Sequence, residues 1–238
     1  MPGDNSLWAW LAGRRPRFRD REAGGRALAA QLSAYAGRPD TLVLALPRGG
    51  VPVAYEVARA LDAPLDLLLV RKLGAPGERE LAMGALAEGG VRVLNDEVVR
   101  ALRVRPEQIA AAAAAEADEI ARQAALYRES RPAPELRGRT VILIDDGLAT
   151  GATMRAAIAA ARAQEAARII VASPVAAQET VDRLRLLADE VVAAETPEPF
   201  GAIGMWYADF SQVSDDEVRS LLRRAAERQP PSNQAPPC

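Results

Sequence analysis

Short apolar runs alternate with helical patterns along the middle of the chain. The runs 41–46 and 65–70 flank a helical stretch at 51–61, which predicts a strand–helix–strand unit. Because these runs lack polar alternation, the strands are expected to be covered on both faces. The sequence therefore predicts an α/β fold, an open parallel sheet with helices on both faces. The later elements of the same pattern are strands at 141–144, 168–172 and 190–194 and helices at 151–166 and 178–187.

The segments outside this alternation predict several additions to the core. The Gly-rich stretch 74–90 is interpreted as either a mobile loop or a hairpin arm. We expect one domain over 1–228, with a core at about 40–195 and a hood at about 196–212. The remaining expectations are a helix at 22–37, a short strand at 91–94, a long helix at 107–127, a last helix at 214–228 opened by a capping box at Ser214, and a disordered Pro-rich tail at 229–238.

The composition excludes several kinds of catalytic and metal site without identifying the one that is present. There is no histidine, and the only cysteine is Cys238, so His-dependent triads, His-ligated metals and intrachain disulfides are excluded. A net charge of -2 argues against a protein that coats nucleic acid. The Arg-rich segment 14–21 could contact RNA or a phosphate, although a solvated charge run is favoured.

No segment predicts a membrane span or a leader. The apolar stretch at 7–13 is short and precedes the arginines, and the alanine run at 110–115 ends in acids. We therefore expect a cytoplasmic protein with no membrane partner. Its chemistry has to use carboxylates, Arg and Lys, hydroxyls, backbone amides and an oxygen-bound cation.

The segment 141–153 combines the features of a sugar-phosphate site. Asp145 and Asp146 end a buried strand, where a charge is costly unless it has a partner or a function. The small residues at 149–153 then open a helix, whose N-terminus favours an anion. One end of this loop suits a phosphate and the other suits hydroxyls or a cation. The alternative interpretation is a capped helix after two solvated aspartates.

These residues resemble a known signature. Ile144-Asp-Asp-Gly-Leu-Ala-Thr-Gly-Ala-Thr153 is similar to the phosphoribosyl pyrophosphate (PRPP) signature of type I phosphoribosyltransferases. Leu46-Pro-Arg-Gly-Gly-Val-Pro52 resembles the pyrophosphate loop of that family, and Val70-Arg-Lys-Leu73 resembles its next basic strand end. The nearest resemblance is to the bacterial "predicted phosphoribosyltransferase" group, through Phe18-Arg-Asp-Arg21, Arg71-Lys-Leu-Gly-Ala-Pro76 and Trp206-Tyr-Ala-Asp-Phe210.

The resemblance implies a role for each part. The loop would hold the 5′-phosphate, and the two acids would bind the ribose hydroxyls, stabilise positive charge at C1′ and reach Mg²⁺ indirectly, through ribose or water. It also implies PRPP and a small-molecule acceptor as ligands, and a homodimer. The implied residues are Asp145 and Asp146 for catalysis; Ala149, Thr150, Gly151, Ala152 and Thr153 for the 5′-phosphate; and Arg48, Gly49, Gly50, Arg71 and Lys72 for pyrophosphate.

The sequence says less about the acceptor than about the PRPP-binding residues. Family members that act on 6-oxopurines have an acid where this chain has Ala149, whereas adenine- and orotate-type members are similar to it there. Leu148 and the aromatic residues Trp206, Tyr207 and Phe210 are candidates for binding a planar acceptor, although a core role is as well supported for the aromatics. Glu78, Glu80 and Glu88 are candidate general bases, although solvated loop positions are favoured.

Two further functions stay open at this point. The same fold could serve as a regulatory module that senses PRPP or a nucleotide, without transfer. It could also act on a non-nucleobase acceptor in specialised metabolism. Transfer is favoured because the chain combines a candidate pyrophosphate-binding site with paired acids. A sensor of a 5′-phosphate alone needs no pyrophosphate-binding site.

Overall fold

A five-stranded parallel sheet forms the centre of the computed structural model, which describes residues 16–128 and 131–228 except for the side chains of 78–80. Its strands are β1 (Thr41–Ala45), β2 (Leu65–Leu67), β6 (Thr140–Ile144), β7 (Arg168–Val175) and β8 (Glu190–Glu195). The strand order is β2-β1-β6-β7-β8, with every neighbouring pair parallel. The predicted open parallel sheet is confirmed.

Helices cover both faces of this sheet because its central strands are apolar on both. In β6, Val141 and Leu143 belong to one buried cluster, and Ile142 and Ile144 belong to the other. This alternation is what a strand buried on two faces requires. The first cluster packs against α5 (Ala152–Ala163) and α6 (Gln178–Leu184); the second packs against α1 (Arg21–Gln31), α2 (Gly50–Leu61), α4 (Pro106–Arg128) and α7 (Asp215–Arg228).

A small antiparallel sheet extends from the core, and it corrects one boundary. The apolar run 65–70 is not one strand, because β2 ends at Leu67 and β3 (Val70–Ala75) pairs instead with β4 (Glu78–Ala87). β4 also pairs with β5 (Arg92–Leu94). Hydrophobicity alone could not show this change of sheet. Of the two interpretations of 74–90, the structure supports the hairpin arm.

The predicted helices are found, with shifted ends. The first helix is shorter than predicted, because α1 ends at Gln31 and a 3₁₀ turn, Ser33–Tyr35, follows. A short helix, α3 (Asp96–Ala101), precedes the long α4. At the start of α7 the hydroxyl of Ser214 accepts a hydrogen bond from the backbone N–H of Glu217 at 3.1 Å, which is one of the two hydrogen bonds of a capping box. The predicted tail lies outside the described residues.

The last residue of α4 ties the two sheets together through a buried charge. Arg128 is 2% exposed and donates to the carboxylates of Asp66 and Glu88 and to the carbonyl of Leu67. Asp66 and Leu67 belong to the parallel sheet, and Glu88 directly follows the antiparallel β4. The arrangement therefore sets where α4 ends relative to both sheets.

The segments at the two ends of the described chain lie together. The backbone N–H of Phe18 donates to the carbonyl of Trp206 at 3.0 Å, and the N–H of Ala208 donates back to Phe18 at 2.9 Å. Phe18, Trp206 and Tyr207 form a small buried cluster with Val175. This pairing brings the start of α1 close to the end of β6. Within the described residues, no helix has the length and apolar character needed to cross a membrane.

Candidate functional site

The loop between β6 and α5 presents unpartnered backbone amides. No described residue accepts a hydrogen bond from the N–H of Ala149, Thr150 or Gly151, and the N–H of Ala152 reaches only the hydroxyl of Thr150, at 3.4 Å. Gly151 has φ +68°, and a Cβ there would lie 2.7 Å from Cγ2 of Thr180. Free amides before a helix N-terminus are suited to hold an anion. The predicted phosphate loop has the geometry that such a role needs.

Asp145 is a half-buried carboxylate whose negative charge is offset by few hydrogen bonds. One of its oxygens accepts the backbone N–H of Asp146 at 2.9 Å, and no described side chain donates to it. Burial of the carboxyl among protein atoms, followed by repulsion from Asp146, raises the pKa of Asp145 well above the ordinary range. A cation or a hydroxyl would therefore be a favourable neighbour for this group.

Asp146, in contrast, is held on several sides. Its Oδ2 accepts from Nε of Arg21 at 2.7 Å, and only 12% of its side chain is exposed. Its backbone carbonyl accepts from the hydroxyl of Tyr207 at 2.6 Å. Burial raises the pKa of Asp146 and Arg21 opposes that rise. The two aspartates are adjacent in the sequence, but their surroundings differ.

The predicted pyrophosphate loop, residues 46–52 and called the glycine loop below, lies directly against Asp145 and Asp146. A Cβ added to Gly49 would lie 2.0 Å from Oδ2 of Asp146, and one added to Gly50 would lie 2.6 Å from the carbonyl oxygen of Ile144. Glycine is therefore required at both positions by close approach. The peptide bond between Pro47 and Arg48 is cis.

A cleft of about 560 Å³ connects several predicted site residues. Pro47, Arg71, Lys72 and Thr153 line it, and so does Glu116 of α4. Its walls thus come from the glycine loop, β3, α5 and the long helix. Asp145 and Asp146 are not part of the lining; Asp146 lies against Gly49, two residues after Pro47.

Two of the predicted pyrophosphate-binding cations are paired with carboxylates. Arg71 donates to Glu116 at 2.7 Å, across the cleft from β3 to α4. Arg48 lies 3.6 Å from Asp215 at the start of α7, and Asp215 also accepts from the hydroxyl of Tyr127. These partners come from elements outside the parallel sheet. A polyanion in the cleft would compete with them for the guanidinium groups.

The expectation of an exposed stacking surface for the acceptor is corrected. Trp206, Tyr207 and Leu148 are 2%, 4% and 2% exposed, so the core interpretation holds for them. They are buried because the N-terminal segment packs on the first two and α5 and α6 pack on the third. Phe210 is half-buried; its ring stacks on Tyr207 with centroids 5.1 Å apart, and the Arg21 guanidinium lies 3.9 Å from its centroid.

Other predicted roles are also changed. Glu88 pairs with Arg128, which leaves it poorly placed as a general base. The side chains of Glu78 and Glu80 lie outside the described part, as do Arg14 and Arg15. Arg21 does not belong to a solvated charge run. Its signals in the sequence were the Arg-rich stretch and the Phe18-Arg-Asp-Arg21 resemblance, and neither named Asp146 as its partner.

The donor set fits Mg²⁺ bound mainly through substrate. Among the described side chains, no group of three or more Asp, Glu, His or Cys could hold a metal by itself. Mg²⁺ commonly uses one or two carboxylates together with phosphates and waters. The uncompensated carboxylate of Asp145, beside a cleft lined by cations, is consistent with that mode.

Comparison with known proteins identifies the family. A family model described as "Phosphoribosyl transferase domain" matches residues 18–202. The chain belongs to the phosphoribosyl transferase domain family. The family match includes the N-terminal Arg21, both predicted ligand loops and the whole parallel sheet. The resemblance inferred from the motifs is therefore confirmed.

Individual proteins of the phosphoribosyl transferase domain family are similar to this chain in sequence and in structure. Two Mycobacterium tuberculosis proteins, from strains CDC 1551 and H37Rv, both named "Putative phosphoribosyl transferase", are 48% identical over 208 residues, which is 87% of this chain. The chain spans about half of their length, 47%. The crystal structure of TT1426 from Thermus thermophilus superposes with a TM-score of 0.81 at 45% identity, covering 87% of this chain and 98% of that one.

Proposed function

We propose that this protein is a Mg²⁺-dependent phosphoribosyltransferase, which moves the phosphoribosyl group of PRPP to a nitrogen of a nucleobase-like acceptor and releases pyrophosphate. The observation that carries the proposal is the loop 149–151, with unpartnered amides adjoining the acid pair. A cleft with Arg71 and Lys72 lies next to it. Membership of the phosphoribosyl transferase domain family supports it.

Each end of PRPP has a complementary group. The 5′-phosphate would accept from the amides of 149–153 and from the hydroxyls of Thr150 and Thr153. The pyrophosphate would lie in the cleft, against the glycine loop and the basic strand end at Arg71 and Lys72. The ribose hydroxyls between these two ends would donate to Asp145 and Asp146.

The proposed reaction exchanges one bond at C1′ for another. The bond from C1′ to the pyrophosphate oxygen breaks, the acceptor nitrogen forms the new bond, and the proton of that nitrogen is released. Positive charge develops on the ribose as pyrophosphate leaves. The carboxylate of Asp145 would stabilise that charge. Asp145 and Asp146 would hold Mg²⁺ indirectly, and the ion, when bound, would neutralise negative charge on the leaving group.

The second candidate is a module that senses PRPP or a nucleotide without transferring anything. It is favoured by one observation: Glu88, a candidate base, is occupied by Arg128. An acceptor that is already a good nucleophile would need no base, so this observation does not displace transfer. Pyrophosphate release separates the two functions.

The proposed setting is a cytoplasmic homodimer built on one domain over residues 1–228. A chain with one cysteine fits a reducing compartment. Substrate and acceptor are small molecules, and the net charge of -2 gives no general attraction to nucleic acid.

The proposal is tested by the binding and turnover of PRPP. PRPP with Mg²⁺ is expected to raise the Tm, because a ligand that binds only the folded state stabilises it. Pyrophosphate release measured across a panel of nucleobases and amines is expected to respond to one acceptor. A Tm shift without release from any acceptor would favour the sensor, and no Tm shift would contradict both functions.

Replacing a threonine of the loop tests whether PRPP binds there. Thr153→Val removes a hydroxyl and keeps the shape, so it is expected to weaken PRPP binding by about 10-fold, the value of a hydrogen bond to a charged group. The control is Thr196→Val, after β8 and outside the loop, which should bind PRPP as the parent does. Equal affinities in both variants would remove the loop from the proposed site.

Removing the carboxylate opposite Arg71 is expected to improve pyrophosphate binding. Glu116 pairs with Arg71 in the cleft, and the two side chains are 30% and 42% exposed. A pair of this kind is worth up to about 1 kcal/mol, so Glu116→Gln should tighten the binding of magnesium pyrophosphate by about fivefold in calorimetry. Asp118→Asn, at an exposed position of the same helix, is the control. Weaker binding in the Glu116 variant would show that Glu116 supports the ligand instead.

A further inference from the structure

The ion pair between Arg21 and Asp146 joins the N-terminal part of the chain to the acid pair. Nε of Arg21 donates to Oδ2 of Asp146 at 2.7 Å, and the two side chains are 11% and 12% exposed. Arg21 opens α1, 125 residues before Asp146. A buried ion pair contributes little to stability in general, because both charges lose their hydration. Its placement on a substrate-binding acid therefore points to a role in the site.

The guanidinium group is held by more than Asp146. Its Nη1 donates to the carbonyl of Ser211 at 2.7 Å, and its plane lies against the ring of Phe210 with Cζ 3.9 Å from the ring centroid. Both partners belong to the segment that precedes α7. With these contacts the guanidinium has little freedom to turn. It is built as a fixed positive charge.

Asp146 is restrained from the other side as well. The glycine loop packs closely against its carboxylate, since a Cβ on Gly49 would lie 2.0 Å from Oδ2. The hydroxyl of Tyr207 binds its backbone carbonyl. No described residue donates to its Oδ1, so one oxygen stays available for a ribose hydroxyl. Asp145, one residue earlier, has no cationic partner among the described side chains.

We propose that Arg21 is a positioning residue of this site, which fixes Asp146 and compensates its charge so that the site accepts a polyanionic phosphoribosyl donor. This inference rests on the proposed function. An uncompensated Asp146 carboxylate beside the glycine loop would repel the pyrophosphate group that the loop is expected to bind. Arg21 compensates that charge.

Charge arithmetic separates this role from a purely structural one. Arg21→Met leaves the Asp146 carboxylate without its cation, and Arg21→Met/Asp146→Asn removes that uncompensated carboxylate. At an effective dielectric constant of about 20, a charge at about 7 Å contributes about 2 kcal/mol, so Arg21→Met should raise the KM for PRPP at least about 10-fold, with a smaller change in kcat. The double variant should have a KM within about threefold of Asp146→Asn alone. Arg21→Lys keeps the charge and should lie between parent and Arg21→Met.

The matched control is Arg19→Met, two residues earlier, where the side chain is 76% exposed and pairs with Asp20. Its KM for PRPP should equal that of the parent. Folding of each variant is checked by its Tm without ligand, and PRPP binding by the shift in Tm, so that loss of stability and loss of affinity are read separately. An unchanged KM in Arg21→Met, or an equal loss on the Asp146→Asn background, would overturn the proposal. If the parent does not bind PRPP at all, the proposed function fails and this inference with it.

Discussion

Replacing Asp145 by asparagine is expected to lower kcat for pyrophosphate release by at least about 100-fold, the usual cost of removing one charge-stabilising group. The same change is expected to make the protein more stable. Both effects have one cause. The carboxylate is partly buried beside a second acid, without a cationic partner among the described residues, so it favours a positive charge in the reaction and destabilises the folded chain at rest.

The stability effect has a definite pH dependence. Burial and Asp146 raise the pKa of Asp145 in the folded state above the value of about 3.9 expected when unfolded. The folded state therefore binds this proton more tightly, and the stabilisation that the proton provides is complete below the unfolded pKa. It is lost as the pH rises through the raised folded pKa. Asparagine does not titrate, so the stability advantage of Asp145→Asn should grow from acid pH to about pH 8, to the order of 1–3 kcal/mol.

Asp182→Asn provides the control for this experiment. Asp182 is 58% exposed and pairs with Arg185 at the surface. Its replacement should change neither kcat nor the dependence of Tm on pH. An Asp145→Asn variant that keeps parental activity, or one whose Tm falls relative to the parent as pH rises, would show that Asp145 is ionised without cost and does not act on the ribose.

Replacing Arg128 by methionine is expected to cost about 3–5 kcal/mol of unfolding free energy, and about 10 °C in Tm for a chain of this size. Arg128 is 2% exposed and neutralises Asp66 and Glu88. Methionine would fill much of the same volume but leave both partly buried carboxylates without a cation. Thermal unfolding followed by circular dichroism measures the loss.

Arg122 is the matched control on the same helix. It is 59% exposed and pairs with Glu119, so Arg122→Met should cost less than about 1 kcal/mol. Adding Asp66→Asn and Glu88→Gln to Arg128→Met should recover part of the lost stability, because the uncompensated charges are then gone. Equal losses in the Arg122 and Arg128 variants would show that the buried network is not important for stability.

The parallel sheet could be predicted because its signals are local. A strand buried on both faces must be apolar at every position, and 41–46 and 141–144 satisfy this without reference to the rest of the chain. The boundary at Leu67 could not be predicted in the same way. Apolar residues continue into β3, and only the pairing of β3 with β4 shows that the chain has changed sheets.

The same distinction holds within the site. Asp145, Asp146 and the loop to Thr153 are contiguous, so their spacing already describes an acid pair before a helix N-terminus. The partners of these residues come from elsewhere: Arg21 from the first helix and Tyr207 from near the other end of the chain. Trp206 and Tyr207 were equally compatible with a stacking surface and with a core. The packing of the N-terminal segment on them decided the question.

By itself, therefore, the sequence determined the α/β class, the position of the candidate ligand loops and the kinds of side chain available for chemistry, because each depends on neighbouring residues or on composition. Only the tertiary structure decided that the two acids differ, that Arg71 faces Glu116, and that Arg21 reaches Asp146. These contacts join residues far apart in the chain, and their energies depend on burial and distance, which no local pattern records.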